Sequence, residues 1–147
     1  MATSNAATTY LENKLLSFIF KNNAGSFATP GNSIYVGLAT AVSDAEAGSL
    51  TEVNTSSQDS NYTRQQVNAA GWTLASSSTD QQTVTNAANI EFSASSGGAT
   101  YTVTHAFIAD AATSGNILFV GALDASKAIA SGDIFRINAG NLTIELK

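Results

Sequence analysis

From Ile34 onward the chain is a series of short apolar runs, each closed by a turn signal, and that pattern confines it to a fold of short strands. The clearest run is Tyr101, Val103, His105 and Phe107 alternating with Thr102, Thr104, Ala106 and Ile108. A period of two sends successive side chains to opposite faces of a sheet. Ser114-Gly115-Asn116 then turns the chain into Ile117-Leu118-Phe119-Val120-Gly121-Ala122-Leu123, apolar enough for a central strand. Ser131-Gly132-Asp133 leads into Ile134-Phe135-Arg136-Ile137, and Ala139-Gly140-Asn141 into Leu142-Thr143-Ile144-Glu145-Leu146. Upstream, Pro30-Gly31-Asn32 precedes a strand at 34–40, and strands are expected at 62–67, at 72–74 and within 84–92. Residues 41–61 read as a long polar loop and 75–82 as a serine-rich one. The expected fold is mainly β: a single antiparallel β-sandwich or jelly-roll-like domain over 34–146.

One helix precedes the strands. Over 9–21, Leu11, Leu15, Phe18 and Ile19 fall on one face at helical spacing, and Leu16 and Phe20 widen it. Thr8 or Thr9 can cap its start, with Glu12 placed to complete a capping box with Thr9. Asn22-Asn23 and Gly25 end it. So wide an apolar face must pack on something. Packing on the chain's own sheet is the favoured expectation, with a partner chain as the alternative. Residues 1–8, small and polar, read as an extended arm.

Composition bounds the function. Only 12% of the 147 residues are charged, against about 25% in a typical soluble domain. Charge is the usual guard of exposed sheet edges, so a chain this poor in it suits a setting where neighbours cover its edges. Net charge is −5, with six Lys plus Arg scattered along the chain. That speaks against nucleic acid, which needs clustered cations, and against an anionic membrane surface. The N-terminus lacks a positive n-region, and no run reaches the roughly 18 apolar residues of a membrane span. With no cysteine there is neither a disulfide framework nor a thiolate metal site, which fits synthesis in a reducing cytoplasm.

Chemistry-bearing patterns are sparse. His105 is the lone histidine and sits in a strand pattern beside Val103 and Phe107, where a packed side chain outweighs a catalyst. A triad with Asp110 or Asp133 has no motif behind it, and Asp44 and Glu46 lack the donor spacing of a calcium loop. No phosphate-binding glycine fingerprint occurs. Arg64, next to Tyr62, is read as structural, paired with a carboxylate or stacked on an aromatic ring. Trp72 with Tyr35, Tyr62 and Tyr101 could form a sugar-stacking platform; core or interface packing is favoured. The expectation is a non-enzymatic protein with no catalytic residue, metal or cofactor.

An ordered set of segments resembles a family of small phage virion proteins. It runs from Tyr10-Leu11-Glu12-Asn13-Lys14-Leu15-Leu16 through 35–41, Thr51-Glu52-Val53, Tyr62-Thr63-Arg64 and Trp72. The most telling blocks are 103–111 and 115–123, followed by Gly132-Asp133 and 139–144. The chain departs from the family pattern in a longer, more polar loop before Tyr62 and in Ala99-Thr100-Tyr101, where a Trp-Gly element is expected. Family members carry the labels capsid decoration protein, cement protein and tail fibre protein. The resemblance implies a decoration or cement protein on the outer surface of a phage capsid. It would act as a homo-oligomer, a trimer, and bridge subunits of the major capsid protein. A tail or tail-fibre component, and a carbohydrate-binding β-sandwich module, are the alternatives. Leu11, Leu15 and Phe18, together with the arm at 1–8, are the expected intersubunit contacts.

Overall fold

The computed structural model describes residues 6–21, 34–76 and 82–146. Residues 1–5 of the expected arm at 1–8, the helix-ending signal at 22–25, the turn at 30–32 and most of the serine-rich loop lie outside them. The chain is mainly β, with antiparallel sheets and, among the described residues, one α-helix and a short 3-10 helix at Ala69–Gly71. Its elements are β1 (Ala6–Ala7), α1 (Thr9–Lys21), β2 (Tyr35–Asp44), β3 (Ser49–Glu52), β4 (Gln65–Gln66), β5 (Trp72–Ser76), β6 (Gln82–Asn86), β7 (Ile90–Glu91), β8 (Tyr101–Ala109), β9 (Ile117–Ile129), β10 (Arg136–Ile137) and β11 (Thr143–Leu146).

The main sheet runs β1-β9-β8-β2-β3, with β4 added beside β2. A pair, β10-β7, and a three-stranded sheet, β11-β6-β5, complete the structure. The central strands β2 and β8 are covered on both faces. On one face Val36, Leu38, Tyr101, Val103 and Ala106 pack with Tyr62, Ile90, Phe92, Ile129 and Ile137. On the other, Ala39, Phe107, Ala109 and Val120 pack with Ala45. This second core is small because alanines build most of it.

The alternation over 101–108 does not run unbroken. Pairing between β8 and β9 slips between Val103 and His105, where Lys127 and Ala122 are the successive partners on β9. A bulge of this kind re-aims the side chains that follow. Tyr101 and Val103 therefore share a core with Ala106, while Phe107 faces the other one.

The expected loop at 41–61 is strand over 41–44 and 49–52. β2 continues to Asp44 and returns as β3, with Val42 opposite Leu50 and Asp44 opposite Ser49. The Asp44 carboxylate accepts the Ala47 N–H at 3.1 Å, and Gly48 closes the turn at a φ of +68°. An Asx turn followed by a left-handed glycine makes a hairpin from a stretch whose composition reads as loop. Conversely, the expected strand at 62–67 shrinks to Gln65–Gln66, because Tyr62 and Arg64 are held by side-chain bonds instead.

Candidate functional site: an outward apolar helix beside an open cleft

The helix α1 spans Thr9–Lys21, the expected range, but Thr8 caps it and no box forms with Thr9. Thr8 Oγ1 accepts the Leu11 N–H at 3.4 Å and donates to the Ile117 carbonyl at 2.6 Å. With the Thr8 N–H bonded to Leu118 and the Thr9 N–H to Glu46, the start of the helix is pinned to β9 and to the β2–β3 hairpin.

Beyond that anchor the helix does not pack as expected. None of its residues is buried. The positions turned toward the body are Leu11, Lys14 and Ser17, each half-buried, at i, i+3 and i+6. The opposite side carries Leu15, Leu16, Ile19 and Phe20, which are 40, 53, 56 and 75% exposed. This is the reverse of a surface helix, whose apolar stripe should face the core. Among the described residues, eight large hydrophobics are exposed and six of them lie on α1; Leu74 and Ile134 are the others. Of the residues expected at intersubunit contacts, Leu15 and Phe18 are at the surface and Leu11 is half-buried. Of the residues exposed most, Ile19 was on the face the periodicity marked, while Leu16 and Phe20 were only at its margin. The signal for them was the width of that face.

Beside the helix lies an open cleft of about 1140 Å³. One wall is β9, with Phe119 and Leu123; the other is the segment 134–145, with Ile134, Phe135, Leu142 and Ile144. Ala6 and Ala7 of β1 reach into it. Consecutive residues of β9 line this cleft, so it looks onto the strand's edge as well as one face. No short motif marks it in the sequence, since its walls are far apart along the chain.

The polar residues singled out earlier are tied up inside. Arg64 Nε and Nη2 donate to Glu52 Oε1 and Oε2 at 2.9 and 2.8 Å, and Nη1 donates to the carbonyls of Ala111 and Ser114 at 2.8 Å each. The guanidinium carbon also stands 5.0 Å from the centre of the Phe107 ring. Bonding to Glu52 holds the Arg64 pKa above its ordinary value. Tyr62 donates to Glu52 at 2.8 Å and accepts the Leu38 N–H at 2.9 Å; burial and the neighbouring carboxylate push its pKa up.

His105 shares a 2.8 Å bond with Thr104 Oγ1, and partial burial lowers its pKa. Asp110 is occupied by Asn116, accepting from its backbone N–H and side-chain amide at 2.7 Å each, while Asp133 accepts the Ala130 N–H. The structure therefore does not bring His105 and these carboxylates together. Tyr62 and Tyr101 are buried, and Trp72 is half-buried with Nε1 donating to Val67, so the four aromatics share no exposed platform. Among the described residues no three acidic or histidine side chains group as a metal site, and no helix is long and apolar enough to cross a membrane.

The family model described as "Podophage GP4 fiber I protein gp80" covers residues 6–145. No curated protein matches the chain.

Proposed function

We propose, on the premise that the chain belongs to the podophage GP4 fiber I protein gp80 family and is a structural protein of the phage virion, that it works as a non-enzymatic fibre subunit whose helix α1 is buried against another chain of the particle. The carrying observation is the reversed helix. Leu15, Leu16, Ile19 and Phe20 face away from the described remainder of their chain, and an exposed apolar cluster of this kind marks a contact site. Scarce charge supports the same reading, because surfaces poor in charge tolerate close neighbours. Leu15 and Phe18 remain contact residues in this proposal, with Leu16, Ile19 and Phe20 added at its centre, while Leu11 is turned toward its own chain.

The second reading is the capsid decoration or cement protein, seated on the outer shell as a trimer and bridging major capsid subunits. The low-charge surface favours it as much as it favours a fibre, and repeated weak contacts over a symmetric shell add up by avidity. Copy number separates the two. Quantitative mass spectrometry of purified particles should find on the order of a dozen copies for a fibre set by the symmetry of a portal or tail. Hundreds of copies would replace the fibre reading with the decoration reading.

A further inference from the structure

We infer that the outward face of α1 inserts into the open cleft of a second copy of this chain, each copy donating its helix to the other's cleft. The inference rests on the proposed reading that α1 is covered in the assembly, and it names what covers it.

Three observations carry it. First, the helix face finds apolar partners in a cleft that is otherwise polar, lined also by Asp124, Lys127, Arg136 and Glu145. The helix offers Leu15, Leu16, Ile19 and Phe20, and the cleft offers Phe119, Leu123, Ile134, Phe135, Leu142 and Ile144, with Ile134 half-exposed. At about 1140 Å³ the cleft exceeds the roughly 300–1,000 Å³ of small-molecule sites, and its open side admits a helix face. Glu12 borders the apolar quartet one turn back, and Lys127 stands on the β9 wall of the cleft.

Second, area decides between one-way and reciprocal docking. With roughly 200 Å² for a large apolar side chain, the four exposed residues present on the order of 500 Å². A stable interface needs about 800 Å² per partner. A single docked helix falls short. Reciprocal insertion adds the wall of each copy's cleft to the surface of its helix, and brings each partner's share to about that size.

Third, donor and acceptor adjoin on one molecule. Ala7 lines the cleft, and α1 begins two residues later at Thr9, with Thr8 bonded to Ile117 and Leu118 of β9. Helix and cleft thus sit side by side on one molecule, an arrangement that a closed, self-complementary contact between two copies can use.

The chain has no cysteine, so single thiols report cleanly. Full-length Phe20→Cys and Ile134→Cys proteins, both altered at exposed positions, are mixed and oxidised. A third variant, Ser56→Cys in the loop at 54–61, serves as control. The expected result is a Phe20–Ile134 cross-linked dimer, on the order of tenfold more abundant than either pairing with the control, because docking raises the effective concentration of the two thiols. Preferential cross-linking of Phe20→Cys to itself overturns the inference in favour of helix-to-helix packing, and leaves the buried-helix reading intact. No cross-link above control also overturns it. The buried-helix reading fails separately, if a thiol at position 20 stays reactive in the intact particle.

Discussion

Phe107 on β8 stands directly opposite Gly37 on β2, and its ring lies over the glycine. A Cβ at position 37 would stand 2.6 Å from the ring's Cε1, so the strand needs a residue without a side chain there. The aromatic ring in turn fills the gap the glycine leaves in the sheet. Gly37→Ala is expected to cost about 1–3 kcal/mol through overpacking. Urea denaturation checks it. Adding Phe107→Leu should recover part of that loss, so the double variant loses less than the sum of the two single ones; strict additivity would show that glycine and ring are uncoupled.

The pair Glu52–Arg64 ties β3 to the loop at 110–116. Arg64 is almost wholly buried, its side chain 6% exposed. Glu52→Ala leaves that guanidinium without its counter-charge and should cost about 3 kcal/mol, near the lower end for breaking a buried pair because Glu52 itself keeps some water contact. Arg64→Lys should not be benign, since an ammonium cannot bond both carboxylate oxygens and two carbonyls from one plane. A stability loss under about 0.5 kcal/mol for either, the level of an ordinary surface substitution, would contradict this.

Tyr62 gives a related test. Its hydroxyl is the partner of the buried Leu38 N–H as well as a donor to Glu52. Tyr62→Phe keeps the ring stacked near Phe92 but leaves that N–H unpaired, at a cost of about 1–3 kcal/mol. Amide exchange at Leu38 should quicken more than at Val103, which lies on the neighbouring strand away from the hydroxyl.

Asp59 makes the fold sensitive to acid. Burial raises its pKa, but bonds from the Ser96 N–H, the Tyr101 hydroxyl and the Asn61 N–H outweigh that and leave it below the usual carboxylate value. A carboxylate with a depressed pKa in the folded state contributes stability above its unfolded value of about 3.9. That contribution is lost as pH falls through the lower folded value. The melting temperature should therefore drop below about pH 4, and Asp59→Asn should lower it at pH 7 while narrowing the acid dependence. An unchanged acid dependence in Asp59→Asn would assign the effect to other carboxylates.

How much of this was legible in the sequence depended on distance along the chain. The helix bounds were readable because Leu11, Leu15, Phe18 and Ile19 repeat within four residues of one another. Strands such as β8 and β9 were readable for the same local reason. The β2–β3 hairpin was not, because it turns on a local bond to the Asp44 carboxylate and on the left-handed backbone of Gly48 while their neighbours look like loop. The break in alternation after Val103 was hidden as well, since the bulge is a property of two strands together. For the candidate site, the apolar residues of α1 were visible but their direction was not. Period alone cannot say that Lys14 and Ser17 turn inward while Leu16 and Phe20 turn out. The cleft joins β9 to residues 134–145 and has no signature in either segment.

The outward face of α1 can be removed without touching the fold. Leu16→Glu together with Phe20→Glu alters two exposed positions, so the unfolding free energy of the isolated chain should stay within about 0.5 kcal/mol per site. The same double variant should fail to enter particles in a complementation assay. Normal incorporation would show that the face is not a contact.

The central claim is that α1 is buried in the particle, and thiol reactivity tests it most directly. In a virion carrying Phe20→Cys, mass spectrometry of the peptide bearing position 20 follows maleimide labelling of intact and of denatured particles. The account predicts that the site is shielded in the intact particle and labelled fully after denaturation. Equal labelling in both would contradict it.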